Sequence, residues 1–378
     1  MLRVLFPPDH LKVTGLQKGF IMHSTTYLVT GGAGFIGSHL AKTLLDRGAS
    51  VRVFDNLDTG SEANLAVLEG RAEFRRGDLR HFESVKDAME GVEVVFHQGA
   101  VASVPRSIAE PSSSLETNIN GTQNVLLAAR DSGVRRVVFA SSAAIYGDTP
   151  TSPKREDMQP DPMSPYAVHK LTGEMLCALC TRFYGLETVA LRYFNVFGPR
   201  QDPASAYAAV IPRFLTSLIE GKRPVVFGDG EQTRDFVYIE NVVQANILAA
   251  SSPDAVGRAI NIGCGEHIPL NAVLAQAGEL LGVTVEPEYR EPRPGDRTLG
   301  CQSHAWRPDH CRCDAFTVLR TTCFCRSWIT DRFCRRALAH GAETGNQRMA
   351  HAGTNRSARH VHAGVSRTHA EGWRSVRA

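Results

Sequence analysis

The stretch Thr30-Gly-Gly-Ala-Gly-Phe-Ile-Gly37 constrains this chain more than any other. Ahead of it, Tyr27-Leu-Val29 is a short apolar run of the kind a buried parallel strand requires. After it, Ser38-His-Leu-Ala-Lys-Thr-Leu-Leu45 sets apolar residues at helical spacing. A glycine turn between strand and helix brings bare backbone against a pyrophosphate, whose charge sits at the helix N-terminus. The glycines are Gly31, Gly34 and Gly37, with Phe35 and Ile36 opening the helix. The next apolar run, Val51-Arg-Val-Phe54, closes on Asp55 and Asn56, about 20 residues on, where a carboxylate receives an adenosine ribose. Strand, glycines and acid in register point to a bound dinucleotide. Asp55 would repel a 2′-phosphate, which favours NAD over NADP.

Charge divides the chain in two. The net charge of +3 over 378 residues averages a basic tail and an acidic body. Residues 297–378 hold 14 Arg, no Lys and 5 acids, together with all three Trp, seven His and six of the nine Cys. Leu, Ile, Val and Phe make up only 11 of those 82 residues, too few for a packed core. Cys311, Cys313, Cys323, Cys325, His304 and His310 make a poor zinc set, because structural sites favour two or more residues between paired cysteines. Scattered Arg, Ala, Cys, His and Trp are what GC-rich coding DNA yields out of frame, so 297–378 is expected to be an unstructured, frameshifted tail. Residues 1–26 are expected to lie outside the fold, with Met22 as a natural start. Nothing there resembles a signal-peptide cleavage site, and no apolar run approaches a membrane span, so the expected address is cytoplasmic.

Between these ends, short apolar runs alternate with helical segments, the pattern of βαβ units and a parallel sheet. Ala72–Arg76 leads to Asp78 and Leu79, where a carboxylate at the sheet edge could meet an adenine amino group; an exposed loop acid is the plainer alternative. A helix is expected from Glu83 to Met89, then a strand over Val92–Phe96 and a small-residue loop, His97-Gln-Gly-Ala100. A further helix spans Thr117–Arg130 with Val125, Leu126 and Leu127 inward. Arg136–Ala140 is the next strand and ends at Ser141-Ser142.

The chemical centre follows. Ser164-Pro165-Tyr166 starts a helix with a capping hydroxyl and proline at the first position. Tyr166 and Lys170, four apart, project from one face. An ammonium beside a phenol, with a cationic nicotinamide near, favours the phenolate and makes Tyr166 a usable base. Tyr-x-x-x-Lys alone is common on helix surfaces; a dinucleotide motif and a strand ending in Ser142 give it weight.

At this point the residues resemble the extended short-chain dehydrogenase/reductases, and within them the nucleotide-sugar 4-epimerases. The matching stretches are Thr30–Leu40, Ser141–Gly147, Pro165–Lys170, Leu191–Arg200, Gly228–Tyr238 and Arg293–Asp296, so the resemblance covers about residues 27–296. Gln201–Pro212 looks most like bacterial UDP-N-acetylglucosamine 4-epimerases. The family's dehydratases carry an Asp-Glu pair beside the serine, where this chain has Ala143-Ala144. Gly99 departs slightly from the family's His-x-Ala-Ala. After Asp296 the resemblance stops; read from the third base of the Arg297 codon, the following triplets can encode the His-Ser that related epimerases place there.

The resemblance implies an α/β fold: a Rossmann-type doubly wound parallel sheet over residues 27–200 and a smaller C-terminal substrate domain over 201–296. It implies tightly held NAD and transient oxidation at the sugar C4. Ser142, Tyr166 and Lys170 would be catalytic. Gly31, Gly34, Phe35, Ile36, Gly37, Asp55, Asn56, Asp78, Leu79, Gln98, Ala100, Asn118 and Tyr193 would hold NAD, with Tyr166 and Lys170. Ser103, Asn195, Gln201, Val210, Arg234 and Arg293 would hold a UDP-sugar, with Ser142 and Tyr166, the arginines suiting a diphosphate. No metal, nucleic acid or membrane is implied, and a homodimer through the helices near 117–130 and 166–184 is. The alternatives are a UDP-glucose 4-epimerase, a nucleotide-sugar decarboxylase, or an inactive NAD-binding fold that has lost its closing segment.

Overall fold

The computed structural model describes residues 25–202 and 209–292. The tail with Arg293, and residues 1–24, lie outside the described residues; Thr25 and Thr26, expected outside the fold, belong to it, Thr25 buried and donating to Glu93 at 2.9 Å and Thr26 opening the first strand. The apolar runs of the first half form β1 (Thr26–Thr30), β2 (Ser50–Asp55), β3 (Glu73–Arg76), β4 (Val94–His97), β5 (Arg136–Ser142) and β6 (Glu187–Tyr193). Shorter strands follow: β7 (Asn195–Phe197), β8 (Val225–Phe227), β9 (Thr233–Arg234), β10 (Phe236–Tyr238), β11 (Ala259–Ile262), β12 (Ile268–Pro269) and β13 (Glu288–Arg290). The main sheet has seven parallel strands in the order β11-β6-β5-β4-β1-β2-β3. The order reverses at β1, so the crevice beyond the carboxyl ends of β1 and β4 is where such a sheet takes its ligand.

The helices are α1 (Phe35–Asp46), α2 (Glu62–Ala66), α3 (Phe82–Ala88), α4 (Val104–Ala109), α5 (Pro111–Leu115), α6 (Gly121–Asp131), α7 (Pro165–Tyr184), α8 (Val210–Ile219), α9 (Ile239–Ser251) and α10 (Leu270–Leu281). Strand periodicity explains how they are shared out, because successive side chains face opposite sides. Val29, Phe96 and Val138 point into one core with Leu40 and Leu44 of α1 and Val242 of α9. Leu28, Val95, Val137 and Phe139 point into the other with Val85 of α3, Leu126 of α6 and Cys177 of α7. Both faces are covered, which is why these strands are continuously apolar instead of alternating.

The helix expected over 117–130 is not a single regular one. Glu116–Asn120 form a π-helical turn that runs into α6, and Leu127 is half-buried beside the fully buried Val125 and Leu126. The proline-started helix is as expected: the Ser164 hydroxyl accepts from the Ala167 amide at 3.2 Å and Pro165 begins α7.

Three small ladders stand beside the sheet, β7 with β10, β8 with β13 and β9 with β12. The main sheet itself takes its edge strand, β11, from residues 259–262. Register places the future site: Thr30 stands opposite His97, and Ser142 opposite Tyr193. Among the described residues, no helix is long and apolar enough to cross a membrane.

Candidate active site

Each glycine of the first turn is required for a different reason. Gly31 has φ +66°, and a Cβ there would lie 2.6 Å from the Gly99 backbone. A Cβ on Gly37 would lie 2.2 Å from the Gly31 carbonyl oxygen, closing the turn on itself. Gly34 is the N-cap of α1, with no side-chain acceptor on the first turn and no acid in it. The amides of Phe35, Ile36 and Gly37 lie in that first turn, where an α-helix offers no acceptor of its own, and they suit an anion. Gly99 continues the same economy, since a Cβ there would meet Leu79 at 2.9 Å.

Asp55 ends β2 almost buried. Its carboxylate accepts from the amides of Ala33 at 3.0 Å and Leu57 at 2.8 Å. Burial pushes its carboxyl up, and those amides pull it down. One oxygen therefore touches the glycine turn itself. Asp78 is more heavily committed. The Arg80 side chain forks onto it at 2.9 and 2.7 Å, the Arg80 amide adds a bond at 2.9 Å, and Asn56 donates at 3.0 Å. Arg80 holds the carboxyl well below its usual range, and the four donors fill a carboxylate's acceptor sites.

The loop after β4 is locked from beneath. His97 bonds Thr30 through Nδ1 at 2.7 Å and Thr122 through Nε2 at 3.0 Å. Thr122 donates to the Asn118 carbonyl, and Thr30 accepts from the Gly99 amide. Burial, with Lys170 nearby, pushes His97 down to about 3, so it is a neutral brace. Asn118 lies on the π-helical turn and grips both backbone groups of Val101, at 2.7 Å from its amide and 3.1 Å from its carbonyl. Ala100 sits between these anchors. Gln98 donates to the hydroxyl of Tyr193 at 3.2 Å and to Asn246 at 3.0 Å.

Beside this loop, the Tyr166 phenol lies close enough to Ser142 for the serine to lower its pKa, and the Ser142 hydroxyl accepts from the Ala144 amide at 3.1 Å. The Tyr166 amide donates to Ser107 at 3.1 Å, which pins the start of α7 to α4. Lys170 is buried and donates to the Ala140 carbonyl at 2.8 Å, with its nitrogen 5.8 Å from the Tyr166 ring centroid. Burial pushes Lys170 down to about 8. The expected lowering of Tyr166 by Lys170 and a nicotinamide cation meets an opposing effect in the chain alone: burial pushes the phenol up, and Ser142 pulls it down. The ammonium is committed to the Ala140 carbonyl on the strand, and burial outweighs what lowers the phenol.

A family model described as the NAD dependent epimerase/dehydratase family matches residues 27–263, more than half of the chain. The chain belongs to the NAD-dependent epimerase/dehydratase family. It is 37% identical over 290 residues to a putative UDP-glucose 4-epimerase of Methanocaldococcus jannaschii, covering 75% of this chain and 93% of that protein. It is 38% identical over 273 residues to a UDP-glucose 4-epimerase of Mycolicibacterium smegmatis, covering 71% and 87%. Its fold matches the UDP-N-acetylglucosamine 4-epimerase of Methanobrevibacter ruminantium, solved with UDP-N-acetylmuramic acid, with TM-score 0.73, 36% identity and coverage of 77% and 95%. The glycine cradle and the exposed helix start fit NAD, the family's cofactor.

The remaining residues singled out in this epimerase/dehydratase chain lie at the rim. Ser103 caps α4 by accepting from Arg106 at 3.1 Å. Asn195, on β7, donates its side-chain amide to the Asp235 carbonyl at 3.0 Å. Gln201 donates to Val196 at 3.2 Å, Val210 begins α8, and Arg234 lies half-buried on β9. Sequence reasoning missed Asn246, which holds Tyr193 and Gln98 together, and Ser107. Neither belongs to a recognisable spacing; each matters through a partner more than 50 residues away.

Gly37→Ala drives a methyl into the Gly31 carbonyl, so the variant is expected to hold about tenfold less NAD per chain, or less, than the parent after purification. NAD released by acid and measured enzymatically checks this; full occupancy would refute the cradle.

Proposed function

We propose that this protein is an NAD-dependent UDP-sugar 4-epimerase, with UDP-N-acetylglucosamine and UDP-N-acetylgalactosamine as its pair. The observation that carries it is Ser142 at the end of β5 beside Tyr166 at the start of α7, followed by Ala143-Ala144 with no acid between the serine and the turn. A dehydratase needs a proton donor there to expel a hydroxyl; this chain offers two methyl groups. Relatives of that activity exist, among them a Streptomyces griseus dTDP-glucose 4,6-dehydratase at 35% identity. A decarboxylase relative from Bacillus cytotoxicus is 36% identical.

When bound, NAD supplies a reversible hydride acceptor. The chain supplies everything else. The amides at the start of α1 would hold the cofactor diphosphate, and Asp55 a ribose. Tyr166 takes the proton of the sugar 4-hydroxyl, and Ser142 donates to the same oxygen as its charge develops. Lys170 would orient the nicotinamide ribose from its seat on β5. Tyr166 then returns its proton after the keto sugar has presented its other face. Asn195, Gln201, Val210, Ser103 and Arg234, with Arg293, would hold the UDP-sugar. The N-acetyl preference rests on Gln201–Pro212 and on the Methanobrevibacter relative. The division near residue 200 is proposed with β11 crossing back into the main sheet, and a cytoplasmic address belongs to the same proposal.

The protein is proposed to act as a dimer. Val168, Met175, Leu179 and Phe183 stand in a helical row on α7, 44%, 61%, 48% and 64% exposed, with Leu115 of α5 at 42%. Such a stripe, on a helix long enough to pair, suits a second copy of itself.

Three outcomes test these statements. The purified protein should interconvert the 4-epimers of UDP-N-acetylhexosamines, with kcat/KM for UDP-N-acetylglucosamine above that for UDP-glucose; a clear preference for glucose refutes the finer assignment. Tyr166→Phe should lower kcat by about a hundredfold or more with NAD content unchanged; near-normal turnover would move the base elsewhere. Phe183→Asp should shift the protein to a monomer by light scattering, and an unchanged mass would exclude α7 as the interface.

A further inference from the structure

Ser142 sits between two points gripped by one buried network. The Ser141 hydroxyl donates to Glu174 Oε1 at 2.5 Å. Arg192 forks onto the same carboxylate, Nε to Oε1 at 2.9 Å and Nη2 to Oε2 at 2.8 Å. Its Nη1 donates to the Tyr146 hydroxyl at 2.8 Å and the Glu156 carbonyl at 3.2 Å. The Tyr146 hydroxyl donates in turn to Asn261 Oδ1 at 2.7 Å. The side chains of Glu174 and Arg192 are only 8% and 6% exposed.

The location gives the network its meaning. Glu174 lies one turn past Lys170 on α7, the helix that also carries Tyr166. Arg192 is on β6, in register with Ser141. Tyr146 lies in the short turn after Ser142. The chain is therefore held one residue before Ser142 and four residues after it, and the holding group comes from the tyrosine's own helix. A buried ion pair adds little stability over well-packed apolar side chains, whereas a bidentate guanidinium–carboxylate pair fixes orientation. We propose that Glu174, held by Arg192, is a positioning residue that sets the Ser142–Tyr166 separation through Ser141, an inference that rests on the epimerase function above.

Among the titratable and charged groups of the packed elements, the Lys170 nitrogen lies 5.8 Å from the Tyr166 ring centroid, His169 bonds Ser114, His97 lies beside Phe139, and Glu174 with Arg192 meets Ser141. The Ser142 hydrogen bond is what lowers the phenol, against burial. Loosening Ser141 should weaken that bond and let the phenol rise.

The test uses the full chain loaded with NAD. Ser141→Ala cuts the link and leaves the Glu174–Arg192 pair intact; Ser141→Thr restores the hydroxyl. Glu174→Gln is the second variant, since it keeps an acceptor but removes the charge. For Ser141→Ala we expect kcat to fall about ten- to a hundredfold, because small displacements at a reacting centre cost that much. KM, NAD content and Tm should stay near the parent values, and Ser141→Thr should recover most of the rate. Phenol absorbance, taken as the difference from the same background carrying Tyr166→Phe, should show the Tyr166 titration about one unit higher in Ser141→Ala and in Glu174→Gln. An unmoved titration, or a rate loss that tracks Tm and KM and is shared by Ser141→Thr, overturns the proposal. Should the parent protein turn over no UDP-sugar, the proposed function fails, and the titration alone still upholds or overturns the positioning role.

Discussion

A single steric constraint governs the site: the backbone of the first turn must approach two other backbones with no side chain between. Gly31 faces Gly99 across the gap between β1 and β4, and Gly37 folds back onto Gly31. That closeness leaves the start of α1 bare and brings the Asp55 carboxylate against the Ala33 amide. The rest of the sheet serves the same geometry. β1 lies where the strand order reverses, so the loops after β1 and β4 diverge and open a crevice between them.

Polar groups do the locking, because a loop cannot be held by packing alone without exposing its amides to nothing. His97 spans Thr30 and Thr122, Asn118 takes both backbone groups of Val101, and Asn246 joins Gln98 to Tyr193. Each brace is buried and neutral, so it fixes position without adding a field near the reacting atoms. The π-helical turn belongs with them: an extra residue in the turn re-aims Asn118 toward Val101 without ending the helix.

The sheet was legible because its inner strands are buried on both faces and so appear as apolar runs, unlike the exposed edge strand β3, and the glycines and Ser142, Tyr166 and Lys170 because their expected chemistry depends on local spacing. Interactions set by folding were not. Nothing near Asn246 announces a partner at position 98 or 193, and Glu174 looks like an ordinary helix-surface acid until Arg192 and Ser141 close over it. Asp78, read as either an adenine contact or a loop acid, carries a partner the strand pattern did not announce: Arg80, two residues on, folds back onto it. The π-helical turn left no trace in the periodicity of Thr117–Arg130, since it occupies only the start of that stretch and the apolar Val125, Leu126 and Leu127 lie wholly in α6.

Tyr166 and Lys170 show what the protein leaves to its cofactor. Burial favours the neutral form of both, raising the phenol and bringing the ammonium down to about 8. In the chain alone, rising pH would therefore discharge Lys170 before Tyr166 ionised, and a phenolate beside an ammonium would not be the stable pair. Ser142 offsets part of the cost, but one hydroxyl donor cannot balance the lost hydration of a phenolate. In the proposed reaction, the positive charge that would make Tyr166 a base near neutrality would arrive with the oxidised nicotinamide ring. Proton removal from the sugar would thereby be tied to the cofactor state that can accept hydride. A site with a fully charged, exposed lysine against the phenol would lose that coupling, which gives a physical reason for Lys170 to be buried and turned onto Ala140.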